Sequence, residues 1–154
     1  MMQGILTHIF IRPEREVPAI DVSAVEAIAA KGLVGDHHTK GGNRQVTILS
    51  QQAWDTICRD LGATLNPKIR KANFVVTGID LERTAGQIIT IGPVSVRILG
   101  ETNPCRLMDE AHQGLKHALS SNWRGGAYGE ILVSGKISVG DLVILHPKKD
   151  CKEG

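Results

Sequence analysis

Short runs of β-branched and aliphatic residues, separated by glycine-containing turns, are the feature of the sequence that most restricts its fold. Gly92-Pro93 joins two such runs and indicates a β-hairpin, and Gly135-Lys136 and Gly140-Asp141 are predicted turns. No alternating pattern of strand and helix is present, which argues against a doubly wound parallel sheet. We therefore predict a mainly β fold, a closed or nearly closed β-barrel with two or three peripheral α-helices. The predicted strands are residues 5–11, 44–49, 69–77 after a polar start, 87–91, 94–99, 128–134 and 139–145.

Two helices are predicted outside the strands. Ser50 is a suitable N-cap and Gly62 a suitable C-terminal stop for a helix over residues 51–61, with Cys58 on its apolar side. A second helix is predicted to begin at Pro104, with Asn103 as its N-cap. Residues 17–20 suit a short edge strand, and residues 22–30 suit either a helix or an extended chain. The apolar face of the second helix comprises Leu107, Met108, Ala111, Leu115, Ala118 and Leu119.

Cys105 is the candidate reactive residue. If the helix begins at Pro104, Cys105 occupies its second position, where free backbone N–H groups and the helix dipole favour an anion. A thiol in that position has a lowered pKa and acts as a nucleophile or a metal ligand, and Arg106 adds positive charge. The alternative is a buried structural cysteine, since free cysteine commonly packs as a small hydrophobic side chain.

Composition excludes several classes of function. A length of 154 residues suits one domain, predicted over residues 1–146 with a polar tail at 147–154. Aromatic residues make up 3% and the net charge is +2, so we expect no nucleic-acid partner. Three scattered cysteines are too few for a disulfide framework. With no signal peptide and no long apolar run, we expect a cytoplasmic protein without a membrane partner.

Three loops carry groups that suit an anionic ligand. Paired glycines beside an arginine can turn successive N–H groups toward one anion, although such a pair is also common in plain turns. The loop at 35–44 combines a carboxylate, two adjacent histidines and two cations; adjacent histidines point apart on an extended chain, which disfavours a shared metal. The segment at 70–73 is either a ligand contact or a solvated approach to a strand. The candidate residues are Asp36, His37, His38, Lys40 and Arg44 in one loop, Arg70, Lys71 and Asn73 in the next, and Arg124, Gly125 and Gly126 in the third.

These elements, in this order, resemble the MOSC domain, named for the C-terminal domain of molybdenum cofactor sulfurase. The chain is similar to short, free-standing bacterial members. The resemblance implies a β-barrel of the MOSC type and a role in sulfur or molybdenum-cofactor chemistry. His37 and Lys71 stand where the family commonly has arginine, and lysine lacks the bidentate geometry of arginine, so Arg70 is the candidate replacement. The matching segments are residues 32–38, 44–49, 71–81, 104–105, 124–126 and 135–141.

Three functions follow from this resemblance. In the first, Cys105 accepts sulfane sulfur as a persulfide from a cysteine desulfurase-type partner and delivers it to a metal–sulfur or molybdenum-cofactor acceptor. Pyridoxal phosphate would then belong to the partner, since no pyridoxal lysine motif is evident in this chain. In the second, Cys105 ligates molybdenum in an oxidoreductase component that reduces N-hydroxylated compounds. In the third, the domain binds the cofactor without turnover. The resemblance implies that the basic residues Arg44, Lys71 and Arg124 face the cofactor's pterin phosphate. The full set of predicted cofactor-binding residues is Asp36, His37, Arg44, Arg70, Lys71, Asn73, Arg124, Gly125 and Gly126.

Overall fold

The computed structural model of the protein describes residues 2–14, 17–37, 41–104 and 107–147. Strands dominate these residues, as the sequence predicts. The strands are β1 Met2–Ile11, β2 Ile20–Val22, β3 Ala24–Ile28, β4 Gly32–Leu33, β5 Val46–Ser50, β6 Phe74–Val76, β7 Ile88–Ile91, β8 Val94–Glu101, β9 Ala127–Val133, β10 Gly135–Ser138 and β11 Leu142–His146. The helices are α1 Gln51–Leu61, α2 Leu107–Ala111 and α3 Leu115–Leu119, with a 3₁₀ helix at Pro67–Arg70.

Seven strands close into a barrel in the order β1-β11-β7-β8-β9-β5-β6, with β6 returning to β1. Neighbouring strands run antiparallel except for β5 and β6, which are parallel. Strand β2 extends the sheet beyond β1, and β10, β3 and β4 form a separate three-stranded sheet. The predicted mainly β fold, a closed barrel with peripheral helices, is confirmed.

Apolar side chains alternate between the inner and outer faces of the barrel strands, and this produces two hydrophobic cores. On β6, Phe74 and Val76 point into the barrel, whereas Val75 between them packs outside, beneath the helices. This follows from the two-residue period of a strand, which sends successive side chains to opposite faces. The barrel interior is mainly aliphatic and includes Leu6, Ile9, Ile48, Ile89, Ile91, Val96, Ile98 and Val143.

The helices cover one outer face of the barrel. Helix α1 has its predicted bounds: the Ser50 side chain accepts a hydrogen bond from Ala53 N, and Gly62 ends the helix in the left-handed conformation at φ 64°. Trp54 is buried on this face, and its Nε1 donates to Leu65 O at 2.8 Å. Among the described residues, no helix has the length and apolar character needed to cross a membrane. The outer core also includes Phe10, Leu49, Ile57, Met108, Leu115 and Leu119.

The predicted second helix is wrong in its start and its continuity. Pro104 is not helical, Leu107 is the first helical residue described, and a turn ending at Gly114 separates α2 from α3. Gly114, the N-cap of α3, has φ 87°, a left-handed conformation that does not occur within a continuous α-helix. The apolar spacing misleads here because side chains of both short helices pack on the same outer core.

Three strand predictions also need correction. Residues 135–136 belong to strand β10 rather than to a turn, and they pair with β3, the extended alternative for residues 22–30. A Cβ at Gly135 would lie 3.0 Å from Pro93 Cγ, so this glycine serves close packing. The edge strand predicted at 17–20 begins instead at Ile20, and the strand predicted from 139 begins at Leu142. In each case long-range pairing decides bounds that local signals leave ambiguous. The tail predicted at 147–154 lies outside the described residues beyond Pro147.

Candidate functional site

Arg70 joins three segments that are far apart in the sequence. It lies at the end of the 3₁₀ helix, where the Asn66 side chain caps the first turn and Pro67 opens it. Its Nε donates to Gly125 O at 3.0 Å, and its Nη2 donates to Thr102 O at 3.1 Å. Arg70 is 7% exposed. We name Arg70, Thr102 and Gly125 the Arg70 junction; it fixes the end of β8 against the loop that precedes β9.

The paired glycines are required by close backbone approach. A Cβ at Gly125 would lie 2.4 Å from Thr102 O, and one at Gly126 would lie 2.3 Å from Ile48 O. The Gly126 N–H donates to Trp123 O at 3.0 Å. The predicted anion cradle of two free N–H groups is therefore not formed. The assignment of Gly125 and Gly126 as ligand contacts stays a prediction.

Thr102 was not predicted as a site residue, yet it holds the unusual polar atom of the junction. Its N–H donates to Gly126 O at 2.9 Å, and its carbonyl accepts from Arg70. The side chain is 4% exposed, and within the described part of the chain Thr102 Oγ1 is the buried side-chain polar atom that lacks a hydrogen-bond partner. Such an atom costs about 1–3 kcal/mol of stability. In the sequence its one signal is its place three residues before Cys105.

Asn73 ties three barrel strands together at the entry to β6. Its Oδ1 accepts from Thr47 N at 3.0 Å, and its Nδ2 donates to Phe10 O at 3.1 Å. Its backbone N–H and carbonyl also bond to β5 and β1. These bonds explain a buried asparagine without any ligand, so its predicted cofactor contact stays a prediction.

Asp36 and His37 both make hydrogen bonds to Arg12, a residue that the sequence analysis does not predict as part of a site. Asp36 Oδ1 accepts from Arg12 N at 2.8 Å, and His37 N–H donates to Arg12 O at 2.8 Å. His37 Nδ1 lies 3.1 Å from the same carbonyl oxygen, which favours the tautomer with hydrogen on Nδ1. No group of three or more metal-ligating side chains occurs among the described residues. His38 and Lys40 lie outside them.

The remaining predicted cations occupy different surroundings. Arg44 and Lys71 are exposed, and Lys71 ends the 3₁₀ helix in the left-handed conformation at φ 65°. Arg124 Nη1 lies 3.4 Å from Asp60 Oδ2 on α1. Arg124 also lines an open cleft of about 420 Å³, which we name the Arg124 cleft. Its other lining residues are Met2, Ser50, Gln52, Ala53, Thr56, Gly78, Ile79, Asp80 and Asn122.

Cys105 and Arg106 lie outside the described residues. Their predicted roles therefore stay predictions, as does the lowered pKa argued for a Cys105 thiol at a helix N-terminus. Pro104, the predicted first residue of that helix, is not helical in the structure. The described part of the site is thus the Arg70 junction, the Asn73 contacts and the residues that hold Arg12.

One protein-family model matches the chain. It is described as the MOSC domain and matches residues 35–144. The chain belongs to the MOSC domain family. MOSC domains are associated with molybdenum-cofactor and sulfurase-related functions. No curated protein matches the chain.

Solved structures agree with this MOSC fold. The YUAD protein from Bacillus subtilis superimposes with a TM-score of 0.79 at 19% identity, covering 97% of this chain and 100% of that one. YiiM from Escherichia coli gives 0.70 at 14% identity, covering 97% and 72%. YiiM from Geobacillus stearothermophilus gives 0.71 at 15% identity, covering 94% and 75%. At these identities the likeness concerns the fold alone.

Some donors of this MOSC domain have the charge or chemistry that suits an anionic, phosphate-bearing ligand. Lys71 and Arg44 are exposed cations, and Thr102 Oγ1 is a buried donor that no described residue uses. By contrast, the side chains of Asp36 and Asn73 are already hydrogen-bonded within the protein. The predicted cofactor contacts of Asp36 and Asn73 therefore stay predictions, and the candidate metal ligand remains Cys105.

Proposed function

We propose that this MOSC domain is a sulfur carrier in which Cys105 holds sulfane sulfur as a persulfide. The observation that carries the proposal is the Arg70 junction, which fixes the chain that leads from β8 to Cys105. Arg70 is buried there and donates to two main-chain carbonyls, so Thr102 is held at both of its backbone polar groups. A rigid backbone three residues before Cys105 supports the proposal, because a reactive side chain acts best from a rigid support.

The transfer step is an exchange at sulfur. The Cys105 thiolate attacks the terminal sulfur of a donor persulfide, a new S–S bond forms, and the donor's own S–S bond breaks. The donor leaves as a thiolate, and Cys105 keeps the terminal sulfur together with its proton. No external oxidant or reductant is needed. The donor is a cysteine desulfurase-type enzyme with its own pyridoxal phosphate, and the acceptor is a metal–sulfur or molybdenum-cofactor centre.

The second candidate is a domain that binds the molybdenum cofactor, either as an oxidoreductase component or as a binding module without turnover. The exposed cations Lys71 and Arg44 favour it, since they are available to pair with the cofactor's phosphate. Cys105 would ligate the metal. When bound, the cofactor supplies two-electron redox and oxygen-atom transfer chemistry. An oxidoreductase would also need an electron donor from a partner.

The test is intact mass and metal analysis of protein purified anaerobically. The carrier predicts an adduct with the mass of one sulfur atom that maps to Cys105 and is absent from Cys105→Ser. The matched control is Cys58→Ser on α1, which should keep the adduct because Cys58 is partly buried against the outer core.

Cys105→Ser should also leave the melting temperature nearly unchanged. A large loss of stability would instead assign that thiol to packing. Molybdenum and a pterin in place of the sulfur adduct would move the assignment to the cofactor-binding function. Neither adduct nor metal, with a Cys105 thiol inert to alkylation, would contradict both proposals.

A further inference from the structure

The Arg124 cleft is a cavity that the proposed sulfur carrier does not use. Its volume of about 420 Å³ lies within the range of small-molecule sites, about 300–1,000 Å³. The parallel strands β5 and β6 both end at this cleft, since Ser50 is the last residue of β5 and residues 78–80 follow β6. Met2 at the start of β1 also lines the cleft, whereas Arg12 follows the other end of β1. The cleft is therefore separate from the contacts that Arg12 makes.

A strained turn contributes two polar residues to the cleft. Asn122 and Trp123 both have left-handed backbones, with φ 54° and 59°. Residues other than glycine keep such a conformation only where the surrounding structure holds it. Here the Trp123 side chain packs against the barrel core, and its carbonyl accepts from Gly126 N at 3.0 Å. Asn122 and Arg124 lie on either side of this anchor, and both line the cleft.

Charges of opposite sign line the cleft from different segments. Arg124 is the cation, and its contact with Asp60 Oδ2 at 3.4 Å uses Nη1 alone, which leaves other guanidinium N–H groups for a ligand. Asp80 is the anion, and its Oδ1 accepts from Glu82 N at 3.0 Å. The Asp80 N–H also contacts Met2 Sδ at 3.4 Å, which ties this residue to the start of β1. A ligand that fills the cleft therefore meets a positive and a negative group.

The remaining lining residues have the chemistry of a peptide-binding site. Asn122 and Gln52 carry side-chain amides, which donate and accept hydrogen bonds as peptide bonds do. Met2, Ala53 and Ile79 supply apolar contacts. We propose that the Arg124 cleft binds a short peptide with free ends, such as a tripeptide, whose carboxylate pairs with Arg124 and whose ammonium group pairs with Asp80. This binding does not depend on Cys105.

The experiment is an NMR titration of the ¹⁵N-labelled full chain with trialanine at low ionic strength, where exposed charge pairs are least screened. Amide shifts should map to residues 50–56, 78–80 and 122–124 and give the dissociation constant. Trialanine amide lacks the carboxylate and should bind about tenfold more weakly, because a charge-assisted hydrogen bond is lost. N-acetyl-trialanine lacks the ammonium group and should bind about threefold more weakly, since Asp80 is exposed.

Variants of the two charged residues assign each end of the peptide. In Arg124→Gln, trialanine and its amide should bind equally, because the partner of the carboxylate is already gone. In Asp80→Asn, trialanine and its N-acetyl form should bind equally for the same reason. The matched controls Arg97→Gln and Asp55→Asn change charges outside the cleft, and both should keep the parent's ratios.

Each contrary result overturns a stated part of the proposal. If both variants keep the parent's ratios, the assignment of the peptide ends is wrong. If alanine binds as tightly as trialanine, the ligand is a single amino acid and not a peptide. If trialanine causes no shifts at the cleft, the site itself is wrong. The sulfur carrier is unaffected by these results, since its test is the mass of the adduct on Cys105.

Discussion

Arg70 and Arg124 are both predicted from the sequence as basic contacts to a ligand, yet the structure places them in unlike surroundings. Arg70 is buried and donates to the main-chain carbonyls of Thr102 and Gly125. Arg124 is at the surface, where it pairs with Asp60 beside the Arg124 cleft. A cation that bonds to backbone acceptors inside the protein stabilises the fold around a site, whereas a surface cation remains accessible to a ligand. The comparison thus separates cations that build the site from cations that face solvent.

The largest loss in the free energy of unfolding is expected from Arg70→Met. The substitution leaves two buried carbonyls without a donor, and each such group costs about 1–3 kcal/mol. We therefore expect the free energy of unfolding to fall by about 4 kcal/mol, measured by urea denaturation. Arg70→Lys keeps the charge with fewer fixed donors and should lose less. A loss below about 1 kcal/mol for Arg70→Met would remove the distinction between the two arginines.

Gly126→Ala tests the close packing beside Arg124. A Cβ there would lie 2.3 Å from Ile48 O, and Gly126 has φ 100°. Overpacking and a left-handed conformation each cost about 1–3 kcal/mol, so we expect a loss of about 3 kcal/mol. Gly42→Ala is the matched control because Gly42 has φ 82° but open space around its Cβ position. Equal losses in the two variants would show that conformation, not contact, requires glycine at 126.

The smallest loss in the free energy of unfolding is expected from Arg124→Ala. A surface ion pair contributes about 0.2–1 kcal/mol, so the free energy of unfolding should fall by about 0.5 kcal/mol. Arg97→Ala is the control, since Arg97 pairs with Glu130 at 3.2 Å on the barrel surface. The two variants should agree in urea denaturation. A loss above about 2 kcal/mol for Arg124→Ala alone would place Arg124 with Arg70 as a structural cation.

Ligand binding gives a second readout of the same variant. If Arg124 contacts an anionic ligand, Arg124→Ala should weaken that ligand by about 1.5–3 kcal/mol, the value of a charge-assisted hydrogen bond. The measurement is molybdenum retained per protein after matched expression of Arg124→Ala and Arg97→Ala. Unaltered retention would exclude Arg124 from the cofactor contacts.

Local chemistry was enough to predict the barrel and one helix. Strand composition and glycine turns gave the right fold class, and Ser50 and Gly62 gave the right ends of α1. The hairpin at Gly92-Pro93 also agrees with the structure. These features depend on residues that are neighbours in the sequence, so the sequence alone can predict them.

Long-range contacts account for what the sequence left out. Gly135 is predicted to lie in a turn, but in the structure it pairs with Ala27 in a strand. Arg70 is predicted as a ligand contact, which stays a prediction, and local reasoning does not find its bonds across 32 and 55 positions to Thr102 and Gly125. Arg12 has no local signal. The Thr102 hydroxyl, which has no partner among the described residues, has only its place three residues before Cys105. Burial and partners decide these roles, and both depend on the finished fold.

Closure of the barrel between β1 and β11 has a consequence for biosynthesis. Met2 pairs with Leu145, so the seam joins strands made early and late in translation. Contacts between such distant residues are slow to form because a long loop must close first. Until β11 leaves the ribosome, β1 presents an open edge along residues 2–5, and such edges invite pairing with other chains.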